Sequence, residues 1–392
     1  MTTFDPGAFK SGAFKPGKRN LISDVDGILV GHAQNHRIKS GATVITAKQP
    51  LLAAVQVTGG APGTRETDML ASDKLVESVD ALVLSGGSAL GLDAASGVAN
   101  LLRAEGRGLD VRGQNVPLVP AAIIFDLHNG GDKNWKKNPY SSLGEKALKA
   151  AASEFKLGTV GAGTGALCAD LKGGLGSASL EFELPEHMQA ALAGASSGKG
   201  LSKGKSNAAR RRKTATRKTA TIGALAVVNP VGSVTAIDSA NFWAAEAEIA
   251  NEFGGLGPAS AEAANPYQLP PFKPLARENT TLAVVATDLP LGVAELQRLS
   301  VAAHDGFARA IYPSHTPFDG DLVFAVSANS TEGRRAKLHT HTDTASWAYL
   351  HLLLGHAAAL CVSRAIARGV YNATAYRGDV LPTWQQRWSK SD

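Results

Sequence analysis

The chain has 392 residues, 44% of them hydrophobic and 19% charged, a composition that supports a large buried core and excludes global disorder. Its net charge of +6 has one source: nine Lys and Arg residues and no acid lie between Ser196 and Ala220, and without them the rest of the chain carries −3, so the basic balance is no argument for a nucleic-acid partner. No uninterrupted apolar run approaches the roughly 20 residues of a bilayer span, the first 20 residues lack a signal-like apolar stretch and read as a flexible arm, and Cys168 and Cys361 are too few for a disulfide framework, which points to buried thiols in a cytoplasmic protein.

Taken in chain order, residues 53–58 and 81–84 are short apolar runs that predict buried strands. Residues 90–103 carry small and apolar side chains at helical spacing. Residues 119–127 read as a further strand, and 142–155 as a helix rich in Ala, Lys and Glu. The segments 222–228 and 231–237 flank Asn229-Pro230, which reads as a turn. Between 194 and 220 the sequence is basic and of low complexity, and predicts a disordered insertion in a surface loop. Residues 254–278 form a loop-like stretch with five prolines. The pattern then changes abruptly: 280–287 (TTLAVVAT) is rich in β-formers, 293–311 predicts a helix, 322–327 a strand, and 345–368 a helix. Strands alternate with helices in both halves, which predicts an α/β fold with helices covering sheets.

Several motifs could carry chemistry. Gly86 stands two positions before Ser88, as in a hydrolase nucleophile elbow, but Leu90 fills the later glycine position, so that reading fails. Gly161-Ala162-Gly163-Thr164-Gly165-Ala166 lacks the preceding strand and ribose-binding acid of a dinucleotide loop. Both stretches are better explained by close approach of backbone to a site or another element. His339, His341 and Asp343 have possible ligand spacing but lie in what reads as an exposed connection, and His304 and His315 have no adjacent partner pattern. Asn279-Thr280 stands where a proline-rich loop meets a β-rich run. A threonine freed at such a point carries its own base, because an α-amine titrates near pH 7.7–8.0. Asp319-Gly320-Asp321 precedes the strand 322–327. Two carboxylates at i and i+2 would face one way if extended and could orient a hydroxyl or an amine.

Together these pieces resemble the D-aminopeptidase and β-peptidyl aminopeptidase family, which includes the endo-type 6-aminohexanoate-oligomer (nylon-oligomer) hydrolases. The resemblance covers about residues 20–375 and rests on ISDVDGILVGHA, LSGGSALGLDAASGV, VPAAIIFDL, VGAGTGALCADLKGGLGSASL, ALAVVNPVG, NTTLAVVATDLPL and FDGDLVFAV, in the family's order. It implies a four-layer αββα sandwich of the N-terminal-nucleophile type, related to ornithine acetyltransferase, and a chain that cuts itself after Asn279. Residues 1–20 would be the arm, 21–279 the α fragment with the insertion at about 194–220, and 280–392 the β fragment of the same domain. The resemblance further implies Thr280 as nucleophile, Asn229 at the oxyanion site, Asp319 and Asp321 as the acidic pair, Lys172 as a charge-stabilising lysine, and Tyr140 near the substrate. The site residues match the nylon-oligomer branch more than the serine aminopeptidases. The expected substrate is a short peptide or linear amide oligomer, the expected assembly a homo-oligomer of αβ units. No metal or organic cofactor, nucleic acid or membrane is expected. Two other readings stand beside this one: an acyltransferase of the ornithine acetyltransferase type, and a non-catalytic binding protein.

Overall fold

The computed structural model describes residues 14–186, 188–189, 218–271, 279–328 and 343–388. Nine strands form one continuous hydrogen-bonded sheet: β1 (Leu29–Asn35), β2 (Ser40–Val57), β3 (Thr64–Arg65), β4 (Ser78–Ser85), β5 (Ala121–Ile123), β6 (Gly174–Glu183), β7 (Thr219–Asn229), β8 (Thr280–Thr287) and β9 (Leu322–Ser327). Their order is β6-β7-β8-β9-β2-β4-β5-β3, with β1 on β2. The pairs β8–β9 and β4–β5 are parallel and the others antiparallel. The principal helices are α1 (Asp93–Ala104), α2 (Tyr140–Lys149), α3 (Val293–Ala303) and α4 (Thr344–Tyr371).

The pleat sorts the side chains into layers, because successive residues of a strand point to opposite faces. Leu225 and Val227 of β7, Leu282 and Val284 of β8 and Phe324 of β9 share one core with Ile45 of β2 and Leu82 and Leu84 of β4. The alternate residues Ala224, Ala226, Ala283, Val285, Val323 and Ala325 pack with Leu296 of α3 and Leu354, Val362 and Ala365 of α4. On the far side Val44, Ala81 and Val83 pack with Val98 and Leu102 of α1 and Leu143 of α2. Three cores separate four layers, helix–sheet–sheet–helix, as the family resemblance implies. The sheet can supply both inner layers because β2 is long and irregular between Thr46 and Leu51. Its first part pairs with β1 and its last part with β9.

Helix α4 is long and apolar enough to cross a membrane, yet 72% of its apolar window is buried within the protein. It lies so close to β6 that a Cβ on Gly176 would come within 1.9 Å of the Ala365 carbonyl oxygen. Asp343, considered above as a metal ligand, is its N-cap: the carboxylate accepts from the backbone N–H of Ala345 and Ser346, the ordinary role of aspartate at a helix start. His339 and His341 lie outside the described residues. Cys168 and Cys361 are buried thiols.

Several expectations change. The run 119–127 contributes only Ala121–Ile123, and 231–237 forms no strand. The helix expected at 293–311 ends at Ala303, and a short turn of helix resumes at Asp305. Most of 194–220 is outside the described residues, but Thr219 and Ala220 are not insertion: they are the first residues of β7, paired with Glu183 and Phe182. Ala220 is fully buried in the outer core, which a loop residue would not be.

Candidate active site

The site forms where β8 begins. Asn279 and Thr280 are buried, at 1% and 3% exposure, although the sequence before them reads as loop. Asn279 donates its N–H to the Phe318 carbonyl at 3.0 Å and accepts at its own carbonyl from Gly320 N–H at 2.7 Å. That pairing extends the parallel β8–β9 ladder backwards by one bridge, Asn279 to Asp319. The Asn279 carbonyl oxygen also accepts a hydrogen bond from Thr280 Oγ1 at 2.5 Å. The hydroxyl of Thr280 thus rests on the carbonyl of the peptide bond that precedes it, and a backbone N–H polarises the same oxygen. A donor aimed at a carbonyl oxygen stabilises the negative charge that attack would put there.

Gly320 stands between the two expected aspartates and has a part that its residue type does not announce. A Cβ at Gly320 would lie 2.5 Å from Thr280 Oγ1, so only glycine allows the approach.

The aspartates are both fully buried and face different partners. Asp319 Oδ1 accepts from Val231 N–H at 3.0 Å, and Oδ2 accepts from the backbone N–H and the hydroxyl of Thr316 at 3.0 and 2.6 Å. Burial, and next the charge of Asp321, push the Asp319 carboxyl above the usual range; the three donors oppose that shift. Asp321 Oδ1 accepts from Thr281 N–H at 2.7 Å. Its Oδ2 accepts from His315 N–H and faces His315 Nδ1 at 2.9 Å, and His315 Nε2 lies 3.2 Å from His304 Nδ1. These two histidines, without a partner pattern in sequence, meet because α3 ends at Ala303, just before His304, and the chain returns toward β9. A second glycine-bearing loop backs the turn: Thr58 and Gly59 both donate N–H to the Asp321 carbonyl and Ala61 donates to that of Asp319.

Asn229 is the cross-strand neighbour of Thr280 in the β7–β8 ladder. Its Oδ1 accepts from Leu167 N–H at 2.9 Å and its Nδ2 donates to the Phe125 carbonyl at 3.2 Å. The next residue, Asp126, accepts from Gly87 N–H at 2.8 Å, so the glycine stretch 86–87 does serve close approach of backbone. Burial raises the Asp126 carboxyl above its ordinary range, while Lys133 works against that shift. Tyr140, at the start of α2, shares a 2.9 Å hydrogen bond with Ser40 Oγ. Burial, then the charge of Asp126, raises its phenol.

Lys172 is buried with its cation committed elsewhere. Its Nζ pairs with Asp379 Oδ2 at 2.6 Å, and Lys39 holds Oδ1 of the same carboxylate at 2.6 Å. Burial lowers the Lys172 ammonium, and Asp379 partly restores it. Thr280, Asn229, Asp319 and Asp321 are therefore directly neighbouring. Tyr140 is tied to them through the chain at Phe125–Asp126, and Lys172 joins the segment after α4.

A family model described as Peptidase family S58 matches residues 20–200 and 193–381. An uncharacterized aminopeptidase of Mycobacterium tuberculosis is 38% identical over 383 residues, which are 93% of this chain and 97% of that one. A 6-aminohexanoate-oligomer endohydrolase of Kocuria sp. is 29% identical over 325 residues, 81% of this chain and 77% of that one. Among solved structures, the L-aminopeptidase D-Ala-esterase/amidase of Ochrobactrum anthropi, a variant of the Ntn-hydrolase fold, superposes with a TM-score of 0.62 at 19% identity, covering 97% of each chain.

Proposed function

The chain belongs to peptidase family S58, and from that membership we propose that it is an amide-bond hydrolase that cuts itself between Asn279 and Thr280 and then uses the freed Thr280 as nucleophile. The observation that carries this reading is the Asn279 carbonyl, contacted at once by Thr280 Oγ1 and by Gly320 N–H. In the self-cut, Oγ1 bonds to the Asn279 carbonyl carbon, the C–N bond breaks, and the hydroxyl proton passes to the leaving nitrogen. Water then hydrolyses the ester, which leaves a carboxylate on Asn279 and a free α-amine on Thr280.

In turnover that amine takes the hydroxyl proton as Oγ1 attacks a substrate amide. Asn229, across the ladder from Thr280, is the proposed oxyanion donor. Asp321 fixes the backbone of Thr281, and Asp319 fixes the turn that carries Gly320. The matured units are residues up to 279 and from 280 onward, interleaved in one domain. The substrate class is short peptides or linear amide oligomers, in line with relatives named as aminopeptidases and as a 6-aminohexanoate-oligomer endohydrolase. Tyr140 and Lys172 belong to the wall of that site rather than to the reacting centre.

Intact-mass analysis of the purified protein tests the reading. We expect two fragments, the smaller beginning at Thr280, and a single uncut, inactive chain from Thr280→Ala. A cut at another bond, or activity in Thr280→Ala, overturns it.

A further inference from the structure

The polar contacts around Thr280 continue beyond the two aspartates. His304 Nε2 lies 3.1 Å from the Gln56 carbonyl oxygen and 3.1 Å from Thr58 Oγ1. A carbonyl can only accept, so His304 carries its proton on Nε2. Burial pushes the His304 imidazole down to about 4, so near neutrality its Nδ1 is a lone pair. His315 Nε2, 3.2 Å away, must therefore be the donor between the two rings. That leaves His315 Nδ1, 2.9 Å from Asp321 Oδ2. A neutral His315 with its proton on Nε2 would aim a second lone pair at a carboxylate. A further proton in that contact, on Nδ1 beside an ionised Asp321 or on Asp321 beside a neutral ring, would satisfy both atoms. Both arrangements give the His315–Asp321 pair a net charge of zero.

We propose that His315, with His304 behind it, holds this proton beside Thr280 and so keeps the freed Thr280 α-amine uncharged, and able to act as base, near neutral pH. The inference rests on Thr280 being the nucleophile. Asp321 reaches Thr280 through the N–H of Thr281, and Asp319 through the turn at Gly320. Two uncompensated carboxylates there would favour the ammonium form and raise its pKa. The proton on the His315–Asp321 pair cancels one of them. The groups that face the pair are few. Asp319 lies beside Asp321, and Asp305 acts on His304. Phe307 packs against both rings at 5.2 and 5.1 Å between centroids. Thr58, Gln56 and Thr316 are uncharged. Neither histidine touches the reacting atoms, so both are positioning residues.

The pKa of the Thr280 amine reads this directly and needs no substrate. Trace acetic anhydride is reacted with mature wild type and His315→Asn across pH 5–9, and acetylation of the Thr280 α-amine is followed by peptide mass. Asparagine keeps an N–H toward Asp321 but cannot hold the extra proton. We expect the amine pKa to rise by about one unit in the variant; an unchanged pKa overturns the proposal, whereas a merely structural role would leave the midpoint in place. Should His315→Asn fail to mature, nitrogen-labelled histidine spectra of the uncut Thr280→Ala chain serve instead. His304 is expected to be neutral at pH 6 with its proton on Nε2, and a charged His304, or a proton on Nδ1, overturns the relay. A wild-type chain not cut before Thr280 sinks the underlying reading first, and mass analysis reveals that before any titration.

Discussion

A glycine carries as much of this site as the side chains around it. Gly320 contributes only a backbone N–H, 2.7 Å from the Asn279 carbonyl oxygen, and the absence of a Cβ. Adding that Cβ places carbon 2.5 Å from Thr280 Oγ1, nearly an ångström inside ordinary van der Waals contact. The hydroxyl, the N–H or both must then move. Displacement by about 1 Å from an attack geometry costs on the order of 10²-fold in rate, and a lost oxyanion donor costs a similar factor. Gly320→Ala should therefore fold but mature at least about 100-fold more slowly than wild type. The time course of fragment appearance after purification measures this, and a normal rate would remove Gly320 from the mechanism. The flanking aspartates were visible in the sequence as a charged pair. The glycine was not, because a backbone donor leaves no signature in residue type. His304 and His315 were invisible for another reason. They lie eleven residues apart on either side of a chain reversal, and Phe307 packs against both rings where they meet.

At the scale of elements, what was legible followed burial on both faces. Residues 280–287 and 322–327 are strands at the predicted positions because each is a continuous run of apolar and β-branched residues with no competing polar face. β6 has no strand signature: GLGSASLEFE is small and partly polar, and it is a strand because Gly176 lets α4 approach and because Ser177 hydrogen-bonds across to the Ala224 carbonyl. The early end of the run 119–127 has a similar cause, since Phe125 and Asp126 turn away to meet Asn229 and Gly87. The insertion boundary is not legible in the sequence because Thr219 and Ala220 continue the composition of the basic segment while their partners are in β6. Leu184 N–H meets the Lys218 carbonyl at 2.8 Å, so residues 184 and 218 are adjacent in the fold. Removing 196–217 should accordingly leave maturation at the wild-type rate. Removing 196–220 also takes the first residues of β7 and the fully buried Ala220, and should lower Tm by several degrees relative to the shorter deletion. Thermal melts of the two variants, made in Thr280→Ala to hold the covalent state constant, make the comparison. Equal Tm values would place the true start of β7 after Ala220.

At the scale of the whole molecule, the proposed cut falls in the middle of the sheet, and its consequence depends on strand order. β8 and β9 come from the chain after residue 279. They are flanked by β7 on one side and β2 on the other, both from the chain before it. Every residue of β8 and β9 is buried, with β8 contributing to the central core on one face and the helical core on the other. Helix α4, from the later part, packs on β6 and β7 of the earlier part. Separating the fragments would expose unpaired strand edges on both sides of the gap, together with two of the three cores. Such exposure costs far more than one broken peptide bond releases in chain freedom, since buried apolar surface is worth about 25 cal/mol per Å² and unpaired backbone groups add to it. The matured protein should therefore behave as one particle. Fragments that run as two bands in denaturing gel should co-elute in size-exclusion chromatography without denaturant, and should melt in a single transition. Recovery of a soluble, folded fragment beginning at Thr280 under native conditions would mean that the later strands hold together without β2 and β7, and the interleaved sheet would then not be what keeps the cleaved halves joined.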